Sequence, residues 1–191
     1  MISDELKCIF IHVHKCAGES IELDVFGRAD RHFNGDAYEG SPNKHLALKD
    51  YFRKYPVKTM KYFKFATVRN PWSRLASWVR YRDLRYSRTE GSFQDRMMYD
   101  LKNCKPIRRC TYQHMLKMPI GLAKVDFVLR FENLAEDYKV LLELLGRPIK
   151  PLSHVNSSFS DTDYRLLYTD QLKDEVYRIH RKDVIEFGYE F

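Results

Sequence analysis

One short stretch constrains this chain more than any other: Val68-Arg69-Asn70-Pro71. Residues 62–68 are apolar and β-branched enough for a strand, and too few for a helix. Asn70 is then a strong helix N-cap, and Pro71 falls at the first helical position, where its missing N–H costs nothing. A strand therefore passes into a helix within three residues. The helix carries Trp72, Leu75, Trp78 and Val79 at helical spacing and should run to about Arg85.

The same grammar recurs along the chain. Residues 8–13 read as a buried strand that breaks at residues 14–20, with a short helix to about Phe26. Residues 28–43, rich in Gly, Asn and Asp, are loop chemistry. Asn43 can cap a helix carrying Leu46, Leu48, Tyr51 and Phe52, which Pro56 ends. Residues 92–118 look helical in two pieces split near Pro106. A third strand spans 125–129, and an amphipathic helix spans 132–145, stopped by Gly146 and Pro148. A polar loop at 153–163 precedes a last helix over 171–187. Strands alternating with helices predict an α/β fold, a central parallel sheet flanked by helices. Ligands of such sheets bind at the carboxyl ends of the strands, where residues 14–20 and 69–77 both lie.

Each of these turns has the chemistry of an anion site. At the first, a small-residue loop before a helix exposes backbone N–H groups at the positive end of the helix dipole. Gly18 allows close backbone approach, Lys15 adds a mobile charge and Ser20 a hydroxyl. An ordinary strand-to-helix turn with a surface lysine fits the same residues. At the second, Arg69 can hold a phosphate in a bidentate fork. Ser77 follows eight residues later, about two helical turns on, near the same face, and Arg74 adds charge.

Composition supports the same class. The chain has 191 residues, enough for one domain over 1–191, and a net charge of +7, which favours an anionic partner: nucleic acid, an anionic cofactor or an acidic polysaccharide. No apolar run is long enough to span a membrane. The start is acidic and unlike a signal peptide, which predicts a cytoplasmic protein. The four cysteines, Cys8, Cys16, Cys104 and Cys110, form no CxxC pair, so free thiols and no metal site are expected.

The residues carry a resemblance. The run from Phe10 through His14, Lys15, Cys16, Ala17, Gly18, Glu19 and Ser20 to Ile21 resembles the 5′-phosphosulfate loop of sulfotransferases. The run from Phe65 through Arg69-Asn70-Pro71, Arg74 and Ser77 to Trp78 resembles their 3′-phosphate site. Arg130-Phe131-Glu132-Asn133-Leu134 and the stretch from Asp183 to Tyr189 look like the family's later motifs. The likeness covers nearly the whole chain in order and is closest to the branch of carbohydrate sulfotransferases and their bacterial relatives.

This resemblance implies a P-loop-NTPase-like sulfotransferase fold and the donor 3′-phosphoadenosine 5′-phosphosulfate (PAPS), with no metal. It implies that Lys15, Cys16, Ala17, Gly18, Glu19 and Ser20 hold the 5′ end, and that Arg69 and Ser77 hold the 3′-phosphate. Arg130 is expected near the cofactor or in a salt bridge with a helix carboxylate. Lys15 would neutralise charge on the breaking bond. His45 is the expected general base, with Glu19 and His14 as rivals, whereas His12 is read as a packed residue. His14, His154 and Asn156 are expected on the substrate side. The partner is a small-molecule or oligosaccharide hydroxyl acceptor. Three residues depart from the pattern: His14 replaces a proline, and Cys16 and Glu19 replace threonines.

Three other functions compete. A nucleotide or small-molecule kinase needs a lysine after the glycine and a Mg²⁺ carboxylate, and neither is apparent. The arginine-rich stretch Arg80 to Arg88 suits nucleic acid, but no recognised nucleic-acid motif accompanies it. The altered first loop also fits a non-catalytic nucleotide-binding protein.

Overall fold

In a computed structural model the chain is described over residues 1–27, 45–109, 111–118, 124–153 and 163–191. It opens with strand β1 (Ile2–Ser3), turns back into β2 (Cys8–Ile11) and enters helix α1 (Gly18–Phe26). Helices α2 (Leu48–Lys54) and α3 (Pro56–Lys61) lead into β3 (Phe63–Val68). Then come α4 (Pro71–Tyr86), α5 (Phe93–Asn103), α6 (Lys105–Arg109), α7 (Tyr112–Met115), β4 (Phe127–Arg130), α8 (Leu134–Leu144) and α9 (Asp170–Phe187).

The four strands lie in the order β1-β2-β3-β4. Strands β2, β3 and β4 are parallel, with Phe10 beside Phe65 and Phe65 beside Phe127. The sheet is mixed rather than purely parallel, because β1 pairs antiparallel to β2 through Ile2–Ile9 and Ser3–Cys8. Only residues 4–7 separate those strands, and a link that short can return only antiparallel.

Both faces of the sheet are covered, which is why β2 reads as an unbroken apolar run. Phe10, Phe65 and Leu129 face α1 and α8, where Ile21, Val25, Tyr138 and Leu141 are buried. Ile9, Ile11, Ala66 and Val68 face Leu48, Tyr51 and Leu116. A third cluster joins α4 to α5 and α9 through Leu75, Val79, Leu101 and Val176.

Several boundaries differ from the sequence expectations. Asn43 lies outside the described residues, and the capping acceptor of α2 is Asp50, whose carboxylate accepts from the Ala47 N–H at 3.1 Å. Pro56 ends α2 but also opens α3 at its first position. The break in 92–118 falls at Cys104, and Pro106 sits in the first turn of α6, where proline is tolerated. Glu132 lies in a 3₁₀ turn, Phe131–Asn133, that precedes α8. Among the described residues no helix is long and apolar enough to cross a membrane, and Cys8, Cys16 and Cys104 form no disulfide.

The packing predicts alkaline lability. Burial pushes the Cys8 thiol from 9.0 up to about 12 and the Tyr138 phenol from 10.0 up to about 12. Tyr168 and Tyr189 are raised for the same reason. The folded state keeps these protons where the unfolded state releases them. Stability is therefore whole below about pH 9 and lost as pH rises toward 12. At about 1.4 kcal/mol per pKa unit, the loss by pH 11 is on the order of 5 kcal/mol. Urea midpoints at pH 8, 10 and 11 should fall steeply; a midpoint unchanged to pH 11 would show that these groups are not buried.

Candidate functional site

Both turns sit at the carboxyl edge of the parallel strands. In the first, Lys15 (φ +62°) and Ala17 (φ +60°) adopt the left-handed region, though neither is glycine. Each such residue costs about 1–2 kcal/mol, and residues of this kind next to a helix start turn successive N–H groups into a concavity suited to an anion. Ala17 is the N-cap of α1 and supplies no side-chain cap. Cys16 is buried, its thiol 3.4 Å from the His14 carbonyl. Glu19 is half-buried in the first turn of α1, and Ser20 is buried.

Gly18 also makes room for a neighbouring side chain. A Cβ there would lie 2.0 Å from Nε2 of His12. The glycine makes room for an imidazole whose Nδ1–H donates to Glu22 Oε1 at 2.7 Å, both side chains being almost fully buried. His12 is thus the packed residue the sequence suggests, and Glu22 is its unforeseen partner. Gly18→Ala is expected to cost about 2–3 kcal/mol in urea unfolding, the usual penalty of overpacking. A change below about 0.5 kcal/mol would mean that the ring moves aside freely.

His45 lies in the segment just before Ala47, the N-cap of α2. Its Nδ1 is 2.9 Å from the backbone carbonyl of His12. A carbonyl only accepts, so Nδ1 carries the proton and Nε2 is left as the basic nitrogen. The His45 ring lies 3.3 Å from that of His14 and 4.4 Å from that of His12, centroid to centroid. On the α4 side, His14 meets Trp78 edge-on at 5.7 Å, and Lys15 Nζ stands 4.3 Å over the Tyr81 ring. The first turn, the expected base and the wall of α4 therefore come together.

The second turn is built by its cap. Asn70 Oδ1 accepts from the N–H groups of Trp72 and Ser73, at 3.0 and 3.5 Å. The Asn70 N–H donates to Glu132 Oε1 at 2.6 Å, and its side-chain amide to the Glu190 carbonyl at 2.7 Å, which fastens β4 and the C-terminal residues to this turn. Arg69 is 5% exposed. Its Nε donates to Ser73 Oγ at 2.9 Å and its Nη1 to the Lys15 carbonyl at 3.1 Å, while the guanidinium lies 3.7 Å over the Phe131 ring. Burial lowers its pKa from 12.5 to about 10, against the opposing pull of Cys16 and Glu132, so the site keeps a positive charge at neutral pH. Arg69 thereby stitches one turn to the other. Arg74 and Ser77 are buried along α4.

Arg130 stands exposed at the end of β4, its guanidinium 5.8 Å from both the Phe187 and Tyr189 rings. The helix carboxylate near it, Asp137, accepts from the Arg130 backbone N–H instead. His154 and Asn156 lie outside the described residues. Glu22 and Tyr81 help hold the site together and have no mark of that role in the sequence, whereas Phe131 and Glu132 stand in the Arg130–Leu134 motif without a role assigned to either. The one available signal was that Gly18 and Glu22 are four residues apart, on one face of α1.

The fold and the turns together define an α/β protein whose two strand-to-helix turns are joined by Arg69 at the strand ends. The sequence model described as "Sulfotransferase family" matches residues 1–190, and the chain belongs to the sulfotransferase family. That places it among transferases that move a sulfuryl group to a hydroxyl acceptor. No curated protein and no solved structure matches it.

Proposed function

We propose that this chain transfers a sulfuryl group from PAPS to a hydroxyl acceptor, a carbohydrate by its likeness to that branch of the family. The observation that carries the reading is the 3.1 Å bond from Arg69 to the Lys15 carbonyl, which makes one cationic site of two separate strand ends. A doubly anionic donor suits such a site. The left-handed first turn would hold the 5′ end, in the P-loop-like manner the resemblance implies, with Arg69 and Ser77 at the 3′-phosphate.

Catalysis here is positioning and charge stabilisation. As the acceptor oxygen bonds to sulfur, His45 Nε2 takes its proton. The S–O bond to the 5′-phosphate breaks, its electron pair departs on 3′,5′-adenosine bisphosphate, and Lys15 faces the charge that builds on that oxygen. No metal enters the scheme.

Calorimetry with 3′,5′-adenosine bisphosphate against ATP·Mg²⁺ tests this. The bisphosphate is expected to bind and ATP·Mg²⁺ to bind far more weakly. The reverse order would replace the donor assignment with a kinase, and bisphosphate binding without sulfuryl transfer to any hydroxyl acceptor would leave a non-catalytic nucleotide-binding protein.

A further inference from the structure

Helix α4 carries the chain's two tryptophans, and they differ in one respect. The indole N–H of Trp72 donates to the Lys173 carbonyl at 3.0 Å. The indole N–H of Trp78 is buried, and among the described residues it has no acceptor. The residue as a whole is 9% exposed. An indole nitrogen can only donate, and leaving a buried donor unmatched costs about 1–3 kcal/mol. Native folds meet nearly all such groups, so an exception has a cause.

The surroundings of Trp78 supply one. Its ring meets His14 edge-on at 5.7 Å and Tyr81 at 6.4 Å. Tyr81 is the ring over which Lys15 Nζ rests, and His14 is the ring against which His45 lies. The orphaned donor thus belongs to the ring between the neighbours of the expected charge stabiliser and of the expected base. We propose that Trp78 Nε1–H is a binding group for an oxygen of the transferred sulfuryl group, an inference that rests on the sulfuryl-transfer reading above. An indole N–H suits that role because it neither titrates nor exchanges a proton with the acceptor, and it reaches full strength against charged oxygen in a dry site.

With two tryptophans in the chain, the ¹H–¹⁵N spectrum of the labelled protein holds two indole signals, assigned by Trp72→Phe and Trp78→Phe. The wild-type protein is titrated with 3′,5′-adenosine bisphosphate and, separately, with PAPS, while calorimetry reports whether each binds. The Trp78 signal is expected to move downfield with PAPS and by clearly less with the bisphosphate, which has no sulfuryl oxygen, while the Trp72 signal stays in place. Trp78→Phe should weaken PAPS about tenfold and leave the bisphosphate within about twofold, the scale of one hydrogen bond to a charged group. A Trp78 signal that stays still with PAPS bound, or moves equally with both ligands, overturns the proposal while the donor assignment stands. If calorimetry finds neither ligand bound, the donor assignment fails and this proposal fails with it.

Discussion

Arg69→Ala is expected to weaken binding of 3′,5′-adenosine bisphosphate by about 100-fold or more, since a hydrogen bond to a charged group contributes about 1.5–3 kcal/mol and a fork offers two. The loss has a second source in this fold. The guanidinium holds the Lys15 carbonyl at 3.1 Å and Ser73 Oγ at 2.9 Å, so its removal also frees the first turn, whose left-handed residues relax without a tether. The fold should survive. Burial already works against the charge, lowering the pKa to about 10, and its removal relieves that penalty while giving up the stacking on Phe131. Arg69→Lys separates the two contributions: it keeps a charge but cannot reach both acceptors at once. Calorimetry should therefore show Arg69→Lys weakened nearly as far as Arg69→Ala, with circular dichroism and thermal unfolding close to wild type. A dissociation constant within about threefold of wild type in either variant would remove Arg69 from the binding site.

Much of the fold was legible because its signals are local. Val68-Arg69-Asn70-Pro71 states a strand end, a cap and a helix start in consecutive residues, and the structure follows it to the hydrogen bonds of Asn70. The elements that escaped notice owe their form to contacts made at a distance. Strand β1 has two residues, too few for any period, and exists because β2 offers it an edge. Pro56 carries the same mark whether it ends a helix or begins the next, and here it does both.

The site divides in the same way. Lys15, Gly18, Arg69 and Ser77 could be named as candidates because each stands at a fixed offset from a strand end. For Gly18 one requirement stayed hidden: it comes from His12, across the strand–helix interface, and from the Glu22 carboxylate that aims the imidazole. Likewise, no spacing in the sequence relates Lys15 to Tyr81, or Arg69 to Phe131. Those pairs arise from the crossing of separate elements, and only the assembled fold brings them to 4.3 and 3.7 Å.

His45→Ala should show the opposite pattern to Arg69→Ala. Turnover is expected to fall by about 10²–10⁴-fold, the contribution of a positioned general base, while bisphosphate affinity stays within about threefold. A purely structural histidine would not split turnover from affinity in this way. Nδ1 is engaged by the His12 carbonyl, which leaves Nε2 as the nitrogen able to take a proton. An imidazole in that role loses activity on acidification, as Nε2 becomes charged and ceases to accept. The variant should lose that acid limb of the rate profile, and added imidazole should restore part of the rate. The rivals are separated by the same assay. His14 lies against His45 and leans on Trp78, so His14→Ala should lower the rate less and leave the acid limb in place. Glu19→Gln should also keep that limb, because an amide in the first turn of α1 leaves the imidazole untouched. Normal turnover in His45→Ala, together with a vanished acid limb in His14→Ala or Glu19→Gln, would move the base to the residue concerned.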